Sequence, residues 1–157
     1  MLTKFAASKI LYELTGRQSS TIFGSQNIYI GLSKSAPSNT GDDVTEPPAT
    51  VDGESSNYSR FKLGYYSNMP DVLAYMTDPT AKGLPPSDYI TNRVEIHFNV
   101  ALKDWTTGSE CITHVCIFNG NAADSKLIAY GELTTPITAE ANTVVVIPIE
   151  GFKISIV

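Results

Sequence analysis

The segment from Ile112 to Pro136, I-T-H-V-C-I-F-N-G-N-A-A-D-S-K-L-I-A-Y-G-E-L-T-T-P, constrains the fold more than any other stretch of the chain. Ile112, Thr113, Val115, Ile117 and Phe118 are β-branched or aromatic, the side chains that suit a pleated surface. Asn119-Gly120-Asn121 interrupts the run, and Leu127 to Leu133 resumes it. Two such runs around turn formers predict an antiparallel hairpin.

The rest of the chain beyond Ser25 also reads as β. Ile28, Ile30 and Leu32 alternate with Tyr29, Gly31 and Ser33, and Tyr58 to Leu63 carries Phe61 and Leu63 on one face. The clearest alternation is Arg93 to Val100. Val94, Ile96, Phe98 and Val100 are expected on the buried face, with Arg93, Glu95, His97 and Asn99 on the other. The apolar run Thr143 to Ile147 suits a strand buried on both faces, and Phe152, Ile154 and Ile156 alternate again. Residues 34–57 and 64–91, rich in Pro, Gly, Ser and acids, read as long loops, with a helical turn at Asp71 to Met76. About seven short strands predict a mainly β, antiparallel β-sandwich of jelly-roll type.

One helix is expected at the start. Leu2, Ala6, Ile10 and Leu14 recur every four residues with Phe5 beside them, Thr3 is placed to cap, and Gly16 and Arg17 mark the end. A helix this short does not persist undocked. Leu2, Phe5, Ala6, Ile10 and Leu14 are therefore candidate assembly contacts, together with Tyr65 and Tyr66 in the irregular insertion. The chain is read as one domain, 1–157, with the helix in 1–17 and the sandwich in 26–157.

Composition narrows the function. The net charge is −5, from 11 basic and 16 acidic residues, and no Lys/Arg run offers phosphates a cluster of cations, so no nucleic-acid partner is expected. No apolar run approaches the about 20 residues that span a bilayer, and Lys4, Ser8 and Lys9 interrupt any leader-like segment, so no membrane partner is expected. Cys111 and Cys116 point to opposite faces of one strand, which predicts free thiols.

Catalytic and metal chemistry find little footing. No G-x-S-x-G occurs, and the two histidines, His97 and His114, fall inside predicted strands. Cys111-x-x-His114-x-Cys116 lacks the tight paired knuckles of structural zinc, and Asp42, Asp43, Glu46, Asp52 and Glu54 lack the ligand register of a calcium loop. No enzyme activity, cofactor or metal is expected. Eight tyrosines leave room for a glycan-reading surface, with Tyr65, Tyr66, Asp71 and Asp88 as its candidates.

An ordered set of short motifs carries a family resemblance. These are Tyr29-Ile30-Gly31-Leu32-Ser33, Ala36-Pro37, Val44-Thr45-Glu46-Pro47 and Tyr58-Ser59-Arg60, followed by Asn92 to Phe98 and Trp105. Ile112-Thr113-His114, Ile117-Phe118 and Leu127 to Pro136 complete it. In this order they resemble the small tail-fibre-like or head-fibre-like virion proteins of tailed bacteriophages. The chain departs from that pattern at Glu54-Ser55-Ser56-Asn57, where glycines are usual, and at Cys116, where glycine is expected. The resemblance implies a β-rich, non-enzymatic virion component, assembled in the host cytoplasm. Its expected partners are its own copies, as a homotrimer, and major capsid or tail proteins. The expected role is capsid decoration; the alternative is a tail, baseplate or fibre component, including a receptor- or glycan-binding module.

Overall fold

The computed structural model describes residues 3, 4, 6, 27–64, 73–77 and 88–155. The described chain is mainly β, and its strands pair antiparallel throughout. They are β1 (Ile28–Ser33), β2 (Thr50–Val51), β3 (Glu54–Ser55), β4 (Phe61–Gly64), β5 (Leu73–Thr77) and β6 (Asp88–Asn92). After these come β7 (Ile96–Val100), β8 (Ile112–Phe118), β9 (Leu127–Ile137), β10 (Val144–Ile147) and β11 (Phe152–Ser155). Seven strands form one sheet in the order β4-β1-β8-β9-β11-β6-β5, while β10-β7 and β2-β3 are two-stranded ribbons.

The hairpin expected at Ile112 to Leu133 is β8–β9. Ile117 pairs with Ala129 and Cys116 with Tyr130. Its loop is closed by the Asn119 and Lys126 backbones, the Asn119 N–H donating to Lys126 O at 3.1 Å and the Lys126 N–H to Asn119 Oδ1 at 2.8 Å. β1 lies between β4 and β8, so its backbone is bonded on both edges and Ile28, Ile30 and Leu32 are fully buried. One apolar core draws on both the large sheet and the β7–β10 ribbon. Ile30, Leu32, Val115 and Phe152 pack in the same cluster as Ile96, Phe98, Val145 and Ile147.

Several expectations change. Along β7 and the residues just before it, Ile96 and Phe98 are buried and Arg93, Glu95, His97 and Asn99 are exposed, as the alternation requires. Val94 and Val100, however, are 42% and 44% exposed. Val94 precedes the strand. Val100 is turned by a bulge: its partner Val144 lies two residues from Val146, whereas Val100 lies three residues from His97, Val146's partner. One extra residue reverses the face on which the next side chain falls. β10 is not buried on both faces; Val145 and Ile147 point inward, Val146 is half-buried and Val144 is exposed. Its inner face packs in the core while its outer face is open, so its pattern alternates.

Residues 64–91 are not simply a loop. β5 occupies the place where a helical turn was expected at Asp71 to Met76, and it pairs along its length with β6, Leu73 with Asn92 through Thr77 with Asp88. Residues 34–57 contain the β2–β3 ribbon, turned by Asp52 and Gly53 at φ of 52° and 79°. Two successive left-handed residues make the tight turn that Asp-Gly favours.

Of the expected N-terminal helix, Thr3, Lys4 and Ala6 are described. Lys4 and Ala6 have helical geometry, and the Ala6 N–H donates to Thr3 Oγ1 at 3.3 Å, the arrangement of a cap. Thr3 Oγ1 in turn donates to Leu127 O at 2.7 Å, and the Lys4 N–H to Asn39 O at 2.9 Å. Ala6 is fully buried in the main core. Leu2, Phe5, Ile10 and Leu14 lie outside the described residues, as do Tyr65, Tyr66 and Asp71.

Candidate functional site

The reverse face of β1 and β8 carries Gly31, Cys116 and Phe118, and residues 36–48 run across it. Pro37 and Pro47 are buried there and Val44 packs on the cluster of Cys116, Phe118 and Leu127. At its centre, Glu46 meets Arg60. Arg60 Nη2 lies 2.7 Å from Glu46 Oε2, and Arg60 Nε donates to Oε1 at 3.0 Å and to Oε2 at 3.2 Å. The Tyr58 hydroxyl donates to Glu46 Oε1 at 2.7 Å and accepts the Leu32 N–H at 2.9 Å. Arg60 Nη1 reaches the carbonyls of Gly120 and Ala122 in the β8–β9 loop, at 3.0 and 3.4 Å, and the guanidinium carbon stands 3.6 Å above the Phe118 ring.

This arrangement depends on the missing side chain of Gly31. A Cβ there would come within 2.7 Å of Glu46 Oε1, 2.8 Å of Phe118 Cε2 and 3.3 Å of the Tyr58 hydroxyl. Behind it, Tyr58 meets Trp105 edge-to-face at 5.2 Å, and the Trp105 indole N–H donates to Ser56 O at 2.9 Å. Burial, and then the Glu46 carboxylate, hold the Tyr58 phenol well above its usual range. Burial likewise pushes the Cys116 thiol up, with Glu46 adding to the shift and Arg60 opposing it.

Shallow depressions flank Arg60. One of about 220 Å³ is lined by Asp42, Glu46, Arg60, Phe118, Asp124 and Lys126 among others, and another of about 280 Å³ by Glu46, Tyr58, Ser59, Arg60, Asn121 and Ala123. The guanidinium and carboxylate at their centre bind each other, and four of the five guanidinium N–H groups are engaged within the protein.

The residues weighed for chemistry are dispersed. Cys111 and Cys116 are free thiols, the first half-buried and the second buried. His114 is half-buried beside Tyr130, its rings 6.3 Å apart, and burial lowers its pKa, with Glu132 opposing. His97 is exposed and sits 3.2 Å from Glu95. In the acidic loop, Asp43 Oδ1 accepts the Ser38 N–H at 2.7 Å, Glu54 pairs with Lys103 and Glu46 with Arg60. No group of three or more His, Cys, Asp or Glu among the described residues is placed to hold a metal ion.

The clamp was missed as a clamp in the sequence, where Glu46 counted among the loop acids. Its signal was present, because Val44-Thr45-Glu46-Pro47 and Tyr58-Ser59-Arg60 were both among the resemblance motifs. The structure shows that these motifs meet.

The Glu46–Arg60 pair fastens a loop and a hairpin tip to the back of an antiparallel sheet, and the class of protein that this chain matches is a structural one of bacteriophage fibre type. The family described as Podophage GP4 fiber I protein gp80 matches residues 2–155, and the chain belongs to that family. It is thus a virion component, in line with the resemblance read from its motifs. No curated protein matches the chain.

Proposed function

We propose that the chain is a non-enzymatic fibre component of a podophage particle, a β-sandwich joined to its own copies as a homotrimer and to neighbouring virion proteins by surface contact alone. The observation that carries this reading is the family match, whose description is that of a fiber protein, over residues 2–155. The Glu46–Arg60 clamp supports it, since the most elaborate polar cluster among the described residues is spent on holding the fold. Assembly takes place in the host cytoplasm.

Copy number tests the location. Quantitative mass spectrometry of purified particles, with the major capsid protein as internal standard, should give a few dozen copies or fewer per particle. Hundreds of copies would place the chain on the capsid as a decoration protein and overturn the fibre reading.

A further inference from the structure

We infer that copies of this chain associate through the outer face of the β7–β10 ribbon, an inference that rests on the self-associating role proposed above. The large apolar side chains exposed among the described residues are Val94, Val100, Leu102, Val144 and Ile149. All of them lie on β7, on β10 or within two residues of their ends. Scattered exposed apolar residues are ordinary; a set confined to one element of the fold marks a contact surface.

The geometry gathers them further. Val100 and Val144 are cross-strand partners, 44% and 46% exposed, and so share a face. Without the bulge in β7, Val100 would fall on the inward side with Ile96 and Phe98. The bulge therefore takes a valine out of the core side and sets it beside another valine on the outer face. Leu102, 54% exposed, extends this end of the ribbon. At the other end, Asn92 Nδ2 donates to both Val94 O, at 2.9 Å, and Pro148 O, at 2.6 Å, which holds the two flanking turns together at the carbonyls of Val94 and Pro148.

Charge selects the occupant. The chain carries a net charge of −5, so copies repel where acids are exposed. Residues 141–149, Ala-Asn-Thr-Val-Val-Val-Ile-Pro-Ile, contain no charged side chain. Exposed Glu140 and Glu150 bound the stretch and Glu95 and His97 lie beside it, so an uncharged contact is confined to β10 and the valines it presents, which offer no counter-charge to attract an ionic partner. β10 also has β7 on one edge and no described strand on the other. An uncharged edge strand without proline, of the kind folded monomers usually protect, suits contact with an identical apolar strand.

The test is the mass of the full-length protein in solution, by sedimentation velocity and light scattering, for wild type, Val100→Lys, Val144→Lys and a control, Asp124→Lys, on the distant β8–β9 loop. At about 50 μM, well above the dissociation constant of a standard-sized specific interface, the wild type and the control should be oligomeric. Both valine variants should be monomeric, with Trp105 fluorescence unchanged as evidence of an intact fold. Raising the salt concentration should leave the wild-type oligomer intact, since an apolar contact does not depend on charge attraction. An oligomer that persists in both valine variants would put the interface elsewhere while leaving self-association in place. A wild type that is monomeric yet joins particles would make another virion protein the occupant and overturn the inference, with the virion role still standing.

Discussion

Replacing Glu46 by Ala removes the acceptor of three donors at once: the Tyr58 hydroxyl, Arg60 Nε and Arg60 Nη2. The side chains of Arg60 and Glu46 are 10% and 23% exposed, so the pair stands between the surface and buried limits. Exposed pairs contribute about 0–1 kcal/mol, whereas breaking a buried one destabilises by about 3–5 kcal/mol because a charge is left unpaired. Arg60 keeps the Gly120 and Ala122 carbonyls, which softens the loss, while Tyr58 loses its acceptor inside the fold. The expected destabilisation is about 3 kcal/mol, or roughly 6–12 °C in Tm for a domain of this size. Trp105 is the single tryptophan, it is buried, and it touches Tyr58, so its fluorescence during urea unfolding reports directly on this region. A double-mutant cycle with Arg60→Met should return a coupling energy of about 2 kcal/mol, the range found for residues in one hydrogen-bonded network. A loss below about 1 kcal/mol for Glu46→Ala, with coupling near zero, would mean the pair behaves as an exposed one and would refute the clamp.

Gly31→Ala should destabilise by about 2 kcal/mol through overpacking, since its Cβ would collide with Glu46 and Phe118, both pinned by Arg60; in the Glu46→Ala background the penalty should shrink, and an unchanged penalty would argue against this crowding. In the native protein, Cys111 should react with iodoacetamide at pH 8 while Cys116 does not, as read by peptide mass spectrometry, because burial keeps the Cys116 thiol protonated. The raised Cys116 and Tyr58 groups also set a sign for alkaline stability: each loses its proton in the unfolded chain first, at about pH 8.5 and about pH 10, so Tm should hold below about pH 8.5 and fall as pH rises above it. A Tm flat to pH 10.5 would contradict that. Asn92→Ala should lose about 2 kcal/mol in urea titrations, because it removes the side-chain bonds to Val94 O and Pro148 O and from the Gly151 N–H, which donates to Asn92 Oδ1 at 3.0 Å, while Gly151 N–H and Pro148 O keep their own bond at 2.9 Å; a loss under about 1 kcal/mol would show that these turns hold without it.

The strands legible in the sequence are those whose neighbours enforce alternation or continuous burial. β8 appeared with its observed limits, and Ile28, Ile30 and Leu32 were assigned correctly, because inner strands must bury what they carry. Val100 was misplaced because a bulge is set by two strands together and leaves no mark in one. β5 was missed for a related reason: Leu73-Ala-Tyr-Met-Thr is weakly patterned, and its conformation comes from pairing with β6. The β2–β3 ribbon was within reach, since Asp52-Gly53 is a strong turn signal that the polarity of the surrounding loop obscured. The Glu46–Arg60 contact spans 14 residues in sequence and is made across the back of the sheet, so its two halves could be noticed and their meeting could not.

The strand order has a consequence for how the chain can be made. β1 pairs with β8, whose residues are synthesised about eighty positions later, and β11, which follows all the other strands, is inserted between β9 and β6. Until β11 arrives, the β4-β1-β8-β9 portion and the β6-β5 hairpin have no shared edge. A nascent chain must therefore carry unpaired strands until β11 has emerged, and pairings of this sequence separation form slowly. Those waiting edges would be open to strands of other nascent chains in the same infected cell, so production at high level is where this protein meets its greatest hazard of misassembly.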